Sequence, residues 1–208
     1  MIRRALGLCL LALAGCGSLH AQSAATVTPE PQTGTLDPVM HWEIDYETAI
    51  LWRITGSATP LDYVLVPQIL SLKTPEIFER RVGGGDLVLR SRFSFLAEPI
   101  IQGPEHHYFG LTGSGILEWW DPQRTRSLFF SSGGGFGELD SHGYQIAGAQ
   151  GQEFNLTWFM YGGARFRFSE RLSGAIGFYF QHLSNGHLNK VDPGLNALGP
   201  ILSLGWHF

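Results

Sequence analysis

From residue 41 onward the chain alternates apolar and polar residues with a period of two. Trp42, Ile44, Tyr46, Ile50, Trp52 and Ile54 are interleaved with Glu43, Asp45, Glu47 and Arg53. Side chains two apart in a strand share a face, so this is one long strand with an apolar side and a charged side. A strand in a soluble sandwich averages about five or six residues, whereas a tilted strand crossing a bilayer needs about nine to eleven. The length favours a membrane strand.

Seven further runs have the same character. They cover residues 61–73, 86–97, 106–120, 124–137, 154–168, 171–184 and 197–208. In 86–97, Leu87, Leu89, Phe93 and Phe95 oppose Val88, Arg90, Arg92 and Ser94. In 106–120, Phe109, Leu111, Leu117 and Trp119 oppose Thr112, Ser114 and Glu118. In 154–168, Phe154, Leu156, Trp158, Met160, Phe166 and Phe168 oppose Asn155, Thr157, Arg165 and Arg167. Residues 124–137, rich in Ser and Gly, alternate poorly. Eight long antiparallel strands predict an all-β fold, an eight-stranded antiparallel transmembrane β-barrel of the outer-membrane kind, closed so that no edge is left unpaired. Eight strands leave a lumen that side chains can fill. The charged positions Glu43, Asp45, Glu47, Arg53, Arg90, Arg92, Arg165 and Arg167 are expected inside it as pairs, which argues against a channel.

With a periplasmic N-terminus, the inner connections are 74–85, 121–123 and 169–170. The outer ones are 56–60, 98–105, 138–153 and 185–196. Tyr46, Trp119, Trp120, Tyr161 and Trp206 fall near strand ends, where aromatic girdles form. The terminal Phe208 resembles the closing residue of outer-membrane barrels.

The remainder of the chain is not barrel. Residues 1–21 read as a cleaved signal peptide, with Arg3 and Arg4 ahead of an apolar core too short to span a bilayer. Cleavage after Ala21 is favoured over a lipoprotein box ending at Cys16. Residues 22–40, rich in Pro, Thr and Ala, read as a flexible lead-in, and 41–208 as the barrel. Both cysteines, Cys9 and Cys16, lie in the signal, so no disulfide is expected. Charged residues are only 15% of the chain. Losing Arg3 and Arg4 with the signal takes the formal charge from −4 to about −6. No basic stripe suggests nucleic acid.

The chemistry concentrates in the phrase GFYFQHLSNGHLNKVDPGLN, residues 177–196. Ile176, Phe178 and Phe180 set an apolar even face, and the register carries His182 and Ser184 onto it. The two residues start about 7 Å apart along the strand, at about 3.3 Å per residue. A serine hydroxyl becomes nucleophilic when a base takes its proton, histidine is suited to that at neutral pH, and a third group must hold its tautomer. Asn185 could donate to an oxyanion. Adjacent strand residues point to opposite faces, so His106 and His107 cannot easily share an ion. His142, His187 and His207 have no evident partners, so no metal site is expected. There is no zincin, CxxC or P-loop pattern.

The phrase HLSNGHLNKVDPGLN followed by a last strand resembles the outer-membrane lipid A deacylase family (PagL-like). Over about thirty residues the resemblance is close. It implies an eight-stranded barrel that removes an ester-linked acyl chain from lipid A of lipopolysaccharide in the outer leaflet. It also implies His182 as general base, Ser184 as nucleophile and Asn185 as oxyanion donor. No cofactor is implied. The implied partners are the lipid A substrate and outer-membrane lipids, and dimerisation is left open. The family pattern has a glutamate fourteen residues after the histidine, where this chain has Asn196. An amide can orient the ring but supplies no charge, so Asn196 is expected in the third role. The alternative is a non-catalytic structural or adhesive barrel. Asp192 is a carboxylate nearby, but its spacing does not match.

Overall fold

The computed structural model describes residues 37–208. The predicted signal peptide and all but the last four residues of the lead-in lie outside the described residues. The elements in chain order are β1 (Glu43–Ala49), β2 (Leu51–Arg53), β3 (Val64–Leu65), β4 (Gln68–Lys73), β5 (Phe78–Val82), β6 (Gly85–Gln102), β7 (His107–Trp120), β8 (Arg126–Leu139), β9 (Phe154–Arg167), β10 (Leu172–Ser184) and β11 (Leu195–His207).

Every pairing is antiparallel, and β1 pairs with both β4 and β11, so the sheet closes on itself. β1 with β2 forms one wall strand and β3 with β4 another, which makes the predicted eight. The two breaks have local causes. Ile50 separates β1 from β2 where it lies opposite Pro200; Ile50 N–H still reaches the Pro200 carbonyl at 3.3 Å, but proline has no N–H to return. Pro67 interrupts the second wall strand in the same way, beside a register shift between Val64 and Leu65.

The faces follow the alternation. On β10, Phe178 is 65% exposed and its neighbour Tyr179 is 1% exposed. Ile44, Tyr46, Phe93, Leu111, Leu128, Phe130 and Leu202 likewise point out. An apolar exterior of this extent would not remain dispersed in water, and it suits a bilayer.

The lumen is filled. Glu43, Asp45, Glu47 and Glu118 face Lys73, Arg90, Arg92 and Arg165, one cation for each carboxylate, and all are buried. Arg90 Nη1 lies 2.8 Å from Glu43 and Lys73 Nζ lies 2.7 Å from Asp45; Arg165 binds Glu43, and Arg92 binds Glu47. Buried charge is tolerated because each ion lies beside one of opposite sign. Above this layer lie Phe159, Tyr161 and Tyr179, with the Arg92 guanidinium over the Phe159 and Tyr161 rings. Of the predicted lumen charges, Arg53 and Arg167 do not join the cluster. Arg53 sits near the rim opposite Asp62 at 3.8 Å, and Arg167 binds the carbonyls of Ser169 and Glu170 in the turn.

Three further expectations need correction. Trp120 and Tyr161 are buried in the lumen and not in a girdle, because they take the inward parity of their strands; Tyr46, Trp119 and Trp206 do face out. Residues 74–85 are not a plain connection, since Phe78–Val82 folds back on β6 through Gly83 and Gly84, both at positive φ. The lead-in ends earlier than expected: Val39 is fully buried against Val88 and Trp120, and its carbonyl accepts from Glu76 N–H.

The connections sort by length. The turns around 121–125 and 168–171, with the β5–β6 hairpin, occupy one end. Loops 54–63, 103–106, 140–153 and 185–194 occupy the other. Glu105, fully buried, ties three of these loops together, accepting from Tyr63 Oη at 2.7 Å and from Gln150 N–H at 2.7 Å. Burial first, and then the adjacent Glu105 carboxylate, push the Tyr63 hydroxyl far above its ordinary range.

Candidate active site

The β10–β11 hairpin builds the site. In its register His182 stands directly opposite Asn196, so the fourteen-residue spacing is the spacing of cross-strand partners. On the other side His182 is opposite Trp158 of β9. All three are on the outward face. His182 Nδ1 and Asn196 Oδ1 are 2.6 Å apart. The amide oxygen can only accept, so Nδ1 carries the proton and Nε2 is left with a lone pair. The Trp158 ring lies against that of His182, with centroids 5.9 Å apart, and against Phe180 at 4.9 Å.

Ser184 follows His182 on the same face, at the last position of β10, and both are half-buried. They meet at Gly194, where the chain turns with φ +62° to enter β11. A Cβ on Gly194 would stand 3.4 Å from His182 Cε1 and 3.9 Å from Ser184 Cβ, so the two side chains border one small space. In this structure the Ser184 hydroxyl is not hydrogen-bonded to the His182 ring. Gly56 in loop 54–63, at φ +101°, plays a similar part for Asn196, whose Nδ2 would lie 3.1 Å from a Cβ there.

Asn185 is placed otherwise than its expected oxyanion role requires. It takes the opposite parity and is fully buried. Its Nδ2 donates to the Val191 carbonyl at 2.8 Å, and its Oδ1 accepts from Asn189 N–H at 3.3 Å. The side chain therefore braces the loop. Asp192 does similar work: its carboxylate accepts from the backbone N–H of Asn185 at 3.0 Å and of His187 at 2.9 Å, so it serves the turn and does not reach His182. The loop leans on its neighbours, with Asn189 Nδ2 3.2 Å from the Gly151 carbonyl, Tyr144 Oη 2.8 Å from Asn189 Oδ1, and Ala58 N–H 2.8 Å from the Pro193 carbonyl. Sequence reasoning missed Trp158, whose outward parity was legible but whose register against β10 was not.

A family model described as "Lipid A 3-O-deacylase (PagL)" matches residues 79–205, more than half of the chain. The chain belongs to the PagL family. Among solved structures, the crystal structure of the outer membrane enzyme PagL is similar at 14% identity with a TM-score of 0.52, covering 76% of this chain and 97% of that one. At that identity the likeness concerns the fold. The crystal structure of Neisserial surface protein A is similar at 11% identity and TM-score 0.47, covering 81% of this chain and 96% of that one. No curated protein sequence matches. This PagL-family chain is an outer-membrane β-barrel, and within the matched segment lie His182, Ser184 and Asn196.

Proposed function

We propose that this protein is a serine esterase that removes an ester-linked acyl chain from lipid A. His182 Nε2 takes the Ser184 hydroxyl proton as Oγ attacks the acyl carbonyl. Asn196 keeps the imidazole in the tautomer that can do so. The ester alkoxide leaves with the proton from His182, and water activated by the same ring hydrolyses the acyl-enzyme. The Asn185 amide is committed to Val191. The oxyanion therefore falls to a backbone N–H of loop 185–194 that is not already bonded within it, such as that of Gly186 or Gly194. No cofactor takes part.

One observation carries the reading: a serine and a tautomer-fixed histidine stand on the apolar outer wall, at the loop end of the barrel. With the loops on the cell exterior, that is the depth at which outer-leaflet acyl chains meet their sugars. The acyl chain can stay in the bilayer while its ester reaches Ser184. The Asn at 196 is what favours the second reading, a structural or adhesive barrel.

The test is expression in an outer membrane and mass spectrometry of lipid A. Loss of one acyl chain with the wild type, and none with Ser184→Ala, supports the esterase. Unchanged lipid A with a folded wild-type barrel selects the second reading.

A further inference from the structure

Two of the outer loops bring together residues far apart in the chain. His106 ends loop 103–106, while Asp140 and His142 open loop 140–153. One ligand atom from each lies within 4.8 Å of the others. Asp140 Oδ2 is the hub, 2.7 Å from His106 Nδ1 and 3.8 Å from His142 Nε2. The two imidazoles meet edge to face, with centroids 5.9 Å apart.

The carboxylate is held in place before any ligand arrives. It accepts backbone N–H groups from His106 at 2.9 and 3.0 Å and from His107 at 3.0 Å. The His142 ring has no hydrogen bond among the described residues, and its Nε2 lies 3.8 Å from Asp140 Oδ2. The cluster is open to solvent, with His106 largely exposed and Asp140 and His142 partly so.

We propose that His106, Asp140 and His142 form a surface site for a divalent transition metal of the Zn2+ class, clipping loop 103–106 to loop 140–153. Tetrahedral ligands bound at about 2.0–2.1 Å stand about 3.3 Å from one another. The separations of 2.7 and 3.8 Å bracket that spacing, so small side-chain rotations close the set. Two imidazoles with one carboxylate suit Zn2+, Ni2+ or Cu2+, whereas Ca2+ and Mg2+ require mostly oxygen donors. Water completes the coordination. His107 does not belong to the set, because its Nδ1 approaches the other carboxylate oxygen, at 3.6 Å. The sequence expectation of no metal site rested on His106 and His107 pointing to opposite faces and on His142 having no evident partner; the structure brings both His106 and His142 to Asp140 of loop 140–153.

The test is calorimetric titration of ZnCl2 and CaCl2 into the refolded barrel in detergent, with no polyhistidine tag. Heat-modifiable gel mobility verifies folding of each variant. The expected result is one equivalent of Zn2+, weakened about tenfold or more by His106→Ala or by His142→Ala and unaffected by His187→Ala, with no Ca2+ bound. Zn2+ affinity unchanged in both ligand variants, or equal binding of Ca2+, overturns the proposal. Chemical modification of the wild type by diethylpyrocarbonate supplies a readout free of substitutions. Zn2+ should protect His106 and His142 but not His187, and equal modification with and without Zn2+ counts against the site.

Discussion

Asn196→Asp is the most informative change that the site permits. Aspartate is the same shape, so a carboxylate oxygen takes the place of Oδ1, 2.6 Å from His182 Nδ1. The Nδ2 that becomes oxygen makes no hydrogen bond among the described residues and abuts Gly56, so none is broken. The gain comes when His182 becomes imidazolium on taking the Ser184 proton. Opposite charges about 4 Å apart attract by about 4 kcal/mol at an effective dielectric of about 20, and by about 1 kcal/mol in water. Both residues are half-buried at a wet rim, so the screened end of that range applies, about 1–2 kcal/mol. That corresponds to a rate increase of roughly 5- to 30-fold. The assay is a time course of acyl release from purified lipid A in detergent micelles, with Ser184→Ala as the zero. A folded Asn196→Asp barrel that works no faster than wild type would refute the assignment of position 196 to the histidine.

Other outcomes can be measured alongside. Glu43→Gln withdraws one anion shared by Arg165, Arg90 and Lys73, and should cost about 3–5 kcal/mol in guanidinium unfolding in detergent; a loss under about 1 kcal/mol would show the cluster to be self-compensating. Gly194→Ala places a methyl 3.4 Å from His182 Cε1 at φ +62°, with a strain of about 1–2 kcal/mol; acyl release should fall while the folded fraction stays high, and unimpaired release would mean that the space between His182 and Ser184 is not used. Asp121 sits in an inner turn. Burial works against its ionisation, yet bonds from the Thr125 hydroxyl and the Arg126 and Thr125 N–H groups, with the Arg126 charge, hold its carboxyl below the usual range. Its contribution is therefore present above the unfolded value of about 3.9 and is lost as pH falls through the folded one. Wild type and Asp121→Asn should differ in melting temperature near neutrality and converge in acid, and a gap that widens below about pH 4 would reverse the sign.

What the sequence disclosed is what strand parity governs. The alternation in 42–54 and 172–184 is enough to assign inside and outside, hence the barrel, the charged lumen and the outward placement of His182 and Ser184. Cross-strand register was hidden, because it depends on hairpin closure; the contact of Trp158 with His182 belongs to that class. Loop conformation was hidden as well. Positive φ at Gly186 and His187 folds the loop so that the Asn185 amide serves Val191, and spacing alone cannot announce this. His106 and His142 meet only because two loops rise side by side from β6–β7 and β8–β9. The girdle expectation fails at Trp120 and Tyr161 because both take the inward parity, and Tyr161 lies mid-way along β9.

The arrangement of charge in the lumen bears on how the barrel forms. Within the ion cluster, three of the four carboxylates belong to β1, whereas the cations belong to β4, β6 and β9. A sheet in which β1 has not yet seated leaves Lys73, Arg90, Arg92 and Arg165 with Glu118 as the one remaining carboxylate of that cluster. Such an open sheet must stay hydrated, and water can leave its interior only as the first strand zips to the last. Seam closure and drying of the interior are thus one event, so the half-made wall has no dry resting state in the membrane.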